Sequence, residues 1–217
     1  MTIRALAFDL DGTLVDSVAE LAQAANAMRA AFGLPAAGLT EVSHWVGNGI
    51  PVLIERALAE LSSPPLDEAN ALFSAAYLDC LGQPGSLYPG VAETLPQLAA
   101  RWPLAVITNK KALFTEPLLQ RLGIRHHFAL VVSGDTTARS KPDPLPLRYA
   151  AEQLQVAVGD WLMIGDSRND IQAARAAGMG AVGLTYGYNY GEDIRLCAPD
   201  YCFDHFADLM RLVVAGD

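Results

Sequence analysis

The chain has 217 residues, 52% hydrophobic and 18% charged, a composition that excludes intrinsic disorder and suits one buried core with an insertion at most. Fifteen Lys and Arg against 24 Asp and Glu leave a net charge of −9, which argues against nucleic acid and against an anionic membrane surface as partners. The three cysteines, Cys80, Cys197 and Cys202, follow no zinc spacing and read as reduced structural thiols.

The first apolar run, residues 5–10, predicts a buried strand. Its apolar stretch is cut short at Asp9 and Asp11, so it reads as neither a signal peptide nor an anchor. No run approaches the roughly 20 apolar residues of a spanning helix, and cytoplasmic residence is the default expectation. Residues 17–31, 52–61 and 67–81 have the Ala, Leu and Met content of helices. They fill an interval of about 80 residues before the next strand, too long for one crossover, and predict an inserted helical unit. Its expected exit is the stretch of Gly82, Pro84 and Gly85, with a second turn at Pro89 and Gly90. Beyond it, strands at 103–108, 130–133, 161–165 and 181–184 interleave with helices at 91–101, 112–122, 144–154 and 169–177. Gly123 and Gly178 close the second and last of these helices. The alternation predicts an α/β fold, a doubly wound, Rossmann-like parallel sheet. Residues 1–15 and 86–217 are expected to form this core, and residues 16–85 a small helical-bundle cap.

Four groups carry candidate chemistry. In DLDGTLVDS, residues 9–17, Asp9 and Asp11 stand two apart at a strand end and so face one side. Asp9 can attack phosphorus and form an aspartyl-phosphate, while Asp11 protonates the leaving alkoxide and then activates water. Gly12 permits the turn, and Thr13 with local amides can reach phosphate oxygens. Thr108 and Asn109 follow the second strand; Thr108 is read as a phosphoryl ligand or as a helix N-cap, Asn109 as a substrate contact, and Lys110 beside them as a solvated charge rather than a substrate contact. Lys141, in SKPDPLPL, is placed by flanking prolines and expected to meet the phosphate. In GDSRND, residues 165–170, Asp166 leaves a strand and Asp170 falls in the first turn of a helix. Asp9, Asp166 and the Asp11 backbone carbonyl suit magnesium, with Asp170 behind them orienting the ligands or facing a helix dipole. Charge requires the metal: about −3 from Asp9, Asp11 and Asp166 and −2 from a phosphate dianion exceed what Lys141 alone offsets.

These four groups, in this order, resemble the haloacid dehalogenase superfamily. The likeness spans almost the whole chain and implies a phosphatase whose helical cap closes over the site. Dehalogenases and phosphonate hydrolases of that superfamily lack the second Asp, so Asp11 favours phosphate-ester hydrolysis. HWVGNG at 44–49, ITNK at 107–110, GDSRNDIQAA at 165–174 and GLTYGYNYGE at 183–192 are similar to the bacterial phosphoglycolate phosphatase family, which implies 2-phosphoglycolate as substrate. The stretch KPDPLPL after Ser140 departs from that family's KPHPDPL.

Other readings stay open from the sequence: the same chemistry on a sugar or amino-sugar phosphate, a phosphomutase, or a receiver-like phospho-accepting switch. The loop at 44–49 is either a helix-to-helix turn or a set of amides for a substrate carboxylate. Tyr186, Tyr188, Asn189 and Tyr190 are expected at the cap rim without a catalytic role. The partner is a small phosphate monoester, and the expected assembly is a monomer or homodimer.

Overall fold

A computed structural model describes residues 2–83 and 86–215; Pro84 and Gly85 of the expected cap exit lie outside them. The sheet contains β1 (Ala5–Phe8), β2 (Leu104–Ile107), β3 (Leu130–Val132), β4 (Trp161–Gly165), β5 (Gly180–Leu184) and β6 (Tyr201–Phe203). All pairings are parallel, in the order β3-β2-β1-β4-β5-β6. Chain order reverses between β1 and β4, and such a switch point opens a crevice at the carboxyl ends of the two strands. The expected doubly wound sheet is therefore present, with one strand more than the sequence signals.

Strand residues divide by the period of two. Leu6, Phe8, Leu104, Val106, Leu162 and Ile164 join the cluster that contains α5 (Val91–Ala99) and α6 (Ala112–Arg121). Ala5, Ala7, Ala105, Ile107 and Met163 face α7 (Leu145–Gln153) and α8 (Arg168–Ala177). With both faces covered, β1, β2 and β4 are wholly buried and carry unbroken apolar runs.

The inserted segment forms α1 (Val18–Ala31), α2 (Leu39–Ser43), α3 (Ile50–Ala57) and α4 (Leu66–Cys80), with α1 packed chiefly on α4. The helix expected at 52–61 thus begins and ends earlier. Its connection to the sheet is a narrow pair of chain segments: Val15 bridges Leu87, the Asp16 amide donates to the Ser86 carbonyl at 2.7 Å, and that of Tyr88 to Leu14 at 3.1 Å. Beside it, the buried Glu20 carboxylate accepts from the amides of Gly82 and Gln83 at 2.9 and 2.8 Å. A last helix, α9 (Met210–Ala215), ends the described chain. All three cysteines are free thiols.

Candidate active site

Asp9 leaves β1 and Asp166 leaves β4 at the same level, since Phe8 pairs with Ile164 and the Asp9 amide donates to the Ile164 carbonyl at 2.9 Å. The switch point thereby sets two carboxylates from distant sequence side by side. Backbone closes around Asp166: a Cβ on Gly12, where φ is +85°, would lie 2.3 Å from Asp166 Oδ2, and one on Gly187 2.2 Å from its Cβ. The Thr13 hydroxyl donates to Asp166 Oδ1 and the Tyr188 amide to Oδ2, each at 2.8 Å. Thr13 here orients Asp166, and its hydroxyl is already engaged.

Lys141, 2% exposed, sits behind this pair. Its ammonium donates to Asp170 Oδ1 at 2.6 Å and to the Ile107 carbonyl at 2.5 Å, and lies 3.0 Å from Asp9 Oδ1. All three donors are thus occupied. The other Asp170 oxygen accepts from the Ser167 amide and hydroxyl, each at 3.0 Å, forming the capping box that starts α8. Asp170 combines the two roles its position allows: it caps the helix and holds the lysine.

Asp9, Asp166 and Asp170 each offer an oxygen within 4.8 Å of the others, all buried. Burial pushes Asp9 up to about 7 against the pull of Lys141, with Asp170 adding to the rise. Burial also pushes Asp166 up to about 8, reinforced by Asp170 and Asp9. Lys141 is lowered by burial, but Asp170 and Asp9 outweigh this and its net shift is upward. One ammonium, in contact with Asp9 and Asp170, stands against three carboxylates, so negative charge is in excess. An all-oxygen, undercompensated donor set of this kind fits a hard divalent cation.

The Asp11 carboxylate is engaged by a second lysine. Both its oxygens accept from Lys110 Nζ at 2.7 Å, and the Ser17 hydroxyl donates to one at 2.6 Å. Lys110 also meets the Tyr77 hydroxyl from α4 at 2.8 Å, and its ammonium lies 4.9 Å from that ring's centroid. The expectation of a solvated Lys110 is overturned: the residue is 3% exposed. Burial first, then the negative charge of Asp11, raises the Tyr77 phenol, which stays neutral.

Thr108 and Asn109 line the same pocket as Asp9 and Asp11. Thr108 is no helix cap, since Lys111 precedes α6; its hydroxyl oxygen accepts from the Lys110 amide at 3.2 Å. Asn109 spans cap and core, its amide donating to the carbonyls of Gly47 and Lys141, both at 2.9 Å, while its buried Oδ1 has no partner. Leu21, Val46, Gly47, Gly49, Ile50 and Leu53 form the roof of the pocket.

The loop at 44–49 is the turn between α2 and α3, and it also roofs the site. It turns a carbonyl toward the core, that of Gly47, shared by Asn109 and Asn169. His44 is exposed. The tyrosine loop braces the rim: Tyr186 donates to the Thr13 carbonyl and Tyr188 to Asp16 Oδ1, each at 2.7 Å. The Tyr190 hydroxyl joins Asn169 at 2.8 Å to Asn48 of the cap at 3.0 Å, between the guanidinium groups of Arg168 and Arg56. Ser17, Tyr77 and buried Lys110 are the site residues sequence reasoning missed. Ser17 had a signal, since it closes the DLDGTLVDS phrase; Tyr77, in the middle of an apolar helix, had none.

The description of the haloacid dehalogenase-like hydrolases matches residues 3–178. The phosphoglycolate phosphatase of Colwellia psychrerythraea is 49% identical over 213 residues, covering 94% of each chain. That of Pectobacterium atrosepticum is 46% identical over 216 residues, covering 97% of this chain and 92% of the relative. Among solved structures, one described as a predicted phosphoglycolate phosphatase from Haemophilus somnus superposes with a TM-score of 0.94 at 38% identity, covering 98% of this chain and 99% of that one.

Proposed function

Because the chain belongs to the haloacid dehalogenase-like hydrolases, we propose that it is a magnesium-dependent phosphomonoesterase that hydrolyses 2-phosphoglycolate to glycolate and phosphate through an aspartyl-phosphate. The observation that carries the reading is the switch-point cluster of Asp9, Asp166, Asp170 and Lys141, buried under a small cap-roofed pocket. The narrower substrate rests on the named relatives, which match nearly end to end.

Asp9 and Asp166, with the Asp11 backbone carbonyl, are the groups proposed to hold magnesium, and Asp170 orients Asp9 through Lys141. When bound, the cation supplies positive charge that offsets the phosphate dianion and draws electron density from phosphorus. An Asp9 oxygen attacks phosphorus as the bond to the ester oxygen breaks. Asp11 gives its proton to that oxygen, releasing glycolate. Asp11 then takes a proton from water, the water oxygen attacks phosphorus, and the Asp9–phosphorus bond breaks to free inorganic phosphate. Thr108 and the backbone around Gly12 and Thr13 are proposed to hold the phosphoryl oxygens, Asn109 to fix the cap loop against them, and Lys141 to balance the negative charge around Asp9.

Phosphate release from 2-phosphoglycolate, beside a panel of sugar, amino-sugar and nucleotide monophosphates, tests the reading. A kcat/KM at least about tenfold above every other ester, lost with chelator and restored by magnesium, is expected. A better ester elsewhere in the panel overturns the substrate assignment. Activity retained in chelator overturns the metal. Asp9→Asn should lose at least about 10⁴-fold in kcat with unchanged circular dichroism, as removal of a covalent nucleophile does.

A further inference from the structure

We infer that Lys110 is the receptor for the carboxylate of the leaving group, and that this carboxylate displaces Asp11 from it. The inference rests on 2-phosphoglycolate being the substrate. Among the described residues lining the pocket, Lys110 is the one cationic side chain, and the cap side is apolar at Leu21, Val46, Ile50 and Leu53. Lys141 does not compete, because its donors are taken by Asp9, Asp170 and the Ile107 carbonyl.

The chemistry of the substrate fixes where its second anion falls. Asp11 must reach the oxygen that joins phosphorus to glycolate, and the carboxylate carbon lies two bonds beyond that oxygen, roughly 2.5 Å away. The carboxylate therefore enters within about 5 Å of Asp11, which becomes negative as it gives up its proton, so the two charges that then face each other need a cation between them. Lys110 Nζ, 2.7 Å from both oxygens of Asp11 before it moves and itself lining the pocket, is the cation at hand for that place.

The same contacts bind recognition to turnover. With both oxygens on Lys110 and one shared with Ser17, Asp11 has to leave the lysine to serve the ester oxygen. An ammonium that is 3% exposed cannot be left without an anion cheaply. The substrate carboxylate replaces Asp11 on Lys110, and a neutral leaving group offers no replacement. Discrimination for the carboxylate is then expressed in kcat as well as in binding. Selectivity accordingly resides on the loop after β2 as well as in the cap.

The test compares 2-phosphoglycolate with its neutral amide, 2-phosphoglycolamide. In wild-type enzyme with magnesium, kcat for the amide should fall at least about 100-fold below that for the acid, because the amide leaves the buried ammonium unpaired. In an Asp9→Asn background, which binds without turnover, calorimetry should give the acid at least about tenfold tighter binding than the amide. Lys110→Met should erase that preference, and Lys110→Arg should restore part of it. Equal kcat values for acid and amide, a comparison that needs no Lys110 variant to fold, overturn the inference. So does a preference for the acid that survives Lys110→Met. A wild-type enzyme that turns over a sugar phosphate better than 2-phosphoglycolate instead overturns the substrate assignment, and the inference falls with it.

Discussion

At Gly12 the backbone and a site carboxylate come closer than any other residue type permits. Its φ of +85° is strained for an L side chain, and an added Cβ would stand 2.3 Å from Asp166 Oδ2. Gly12→Ala is expected to cost about 1–3 kcal/mol in strain and to push Asp166 out of line with Asp9. Kinetics under magnesium titration should show kcat down by more than about 100-fold and a raised magnesium requirement; unchanged values would mean that Asp166 is not held by this turn. The acidic residues were legible because each sits where an apolar strand run stops, so Asp9, Asp11 and Asp166 declare themselves by position. Lys110 did not, because burial is decided by partners 99 residues away at Asp11 and 33 away at Tyr77. A single lysine in a polar tetrapeptide carries no mark of such partners.

Among the elements, α8 links stability to the site through its first turn. The Ser167 hydroxyl donates to the Asp170 carboxylate, whose other oxygen holds Lys141, which in turn lies on Asp9. Ser167→Ala should cost about 1 kcal/mol as a lost cap, lowering Tm by roughly 2–4 °C for a chain of this size. It should also reduce kcat severalfold, since Asp170 loses one of the bonds that orient it; a Tm change with no kinetic change would confine Asp170 to capping. The long helices and central strands could be read from sequence, because fully buried strands carry unbroken apolar runs and the helices end at Gly123 and Gly178. Three elements could not. The five residues of α2 and the six of α9 are shorter than two helical turns, and β6 is a three-residue edge strand between Asp200 and Asp204, too brief for alternation to register.

Over the whole molecule, the site concentrates uncompensated negative charge in a chain that already carries −9, so stability and metal binding must be coupled through pH. Burial raises Asp9 to about 7 and Asp166 to about 8 from an ordinary 3.8, and Glu20 moves in the same direction. Acids raised on folding bind protons more tightly in the folded chain, so their contribution is full below about pH 4 and is lost as pH climbs through 7 and 8. The metal-free protein should therefore lose Tm between pH 5 and pH 8. Lys141, raised from an already high value, stays protonated across this window and leaves the slope unchanged. A divalent cation binds the ionised carboxylates and so opposes the trend. At about 100 times its Kd, magnesium contributes about 2.7 kcal/mol, or roughly 5–10 °C, and the gain should be larger at pH 8 than at pH 5. Scanning fluorimetry with chelator and with magnesium at both pH values measures the difference. A gain that is equal at the two pH values would mean that magnesium binds groups already ionised at pH 5, and would remove the Asp9 and Asp166 pair from the metal site.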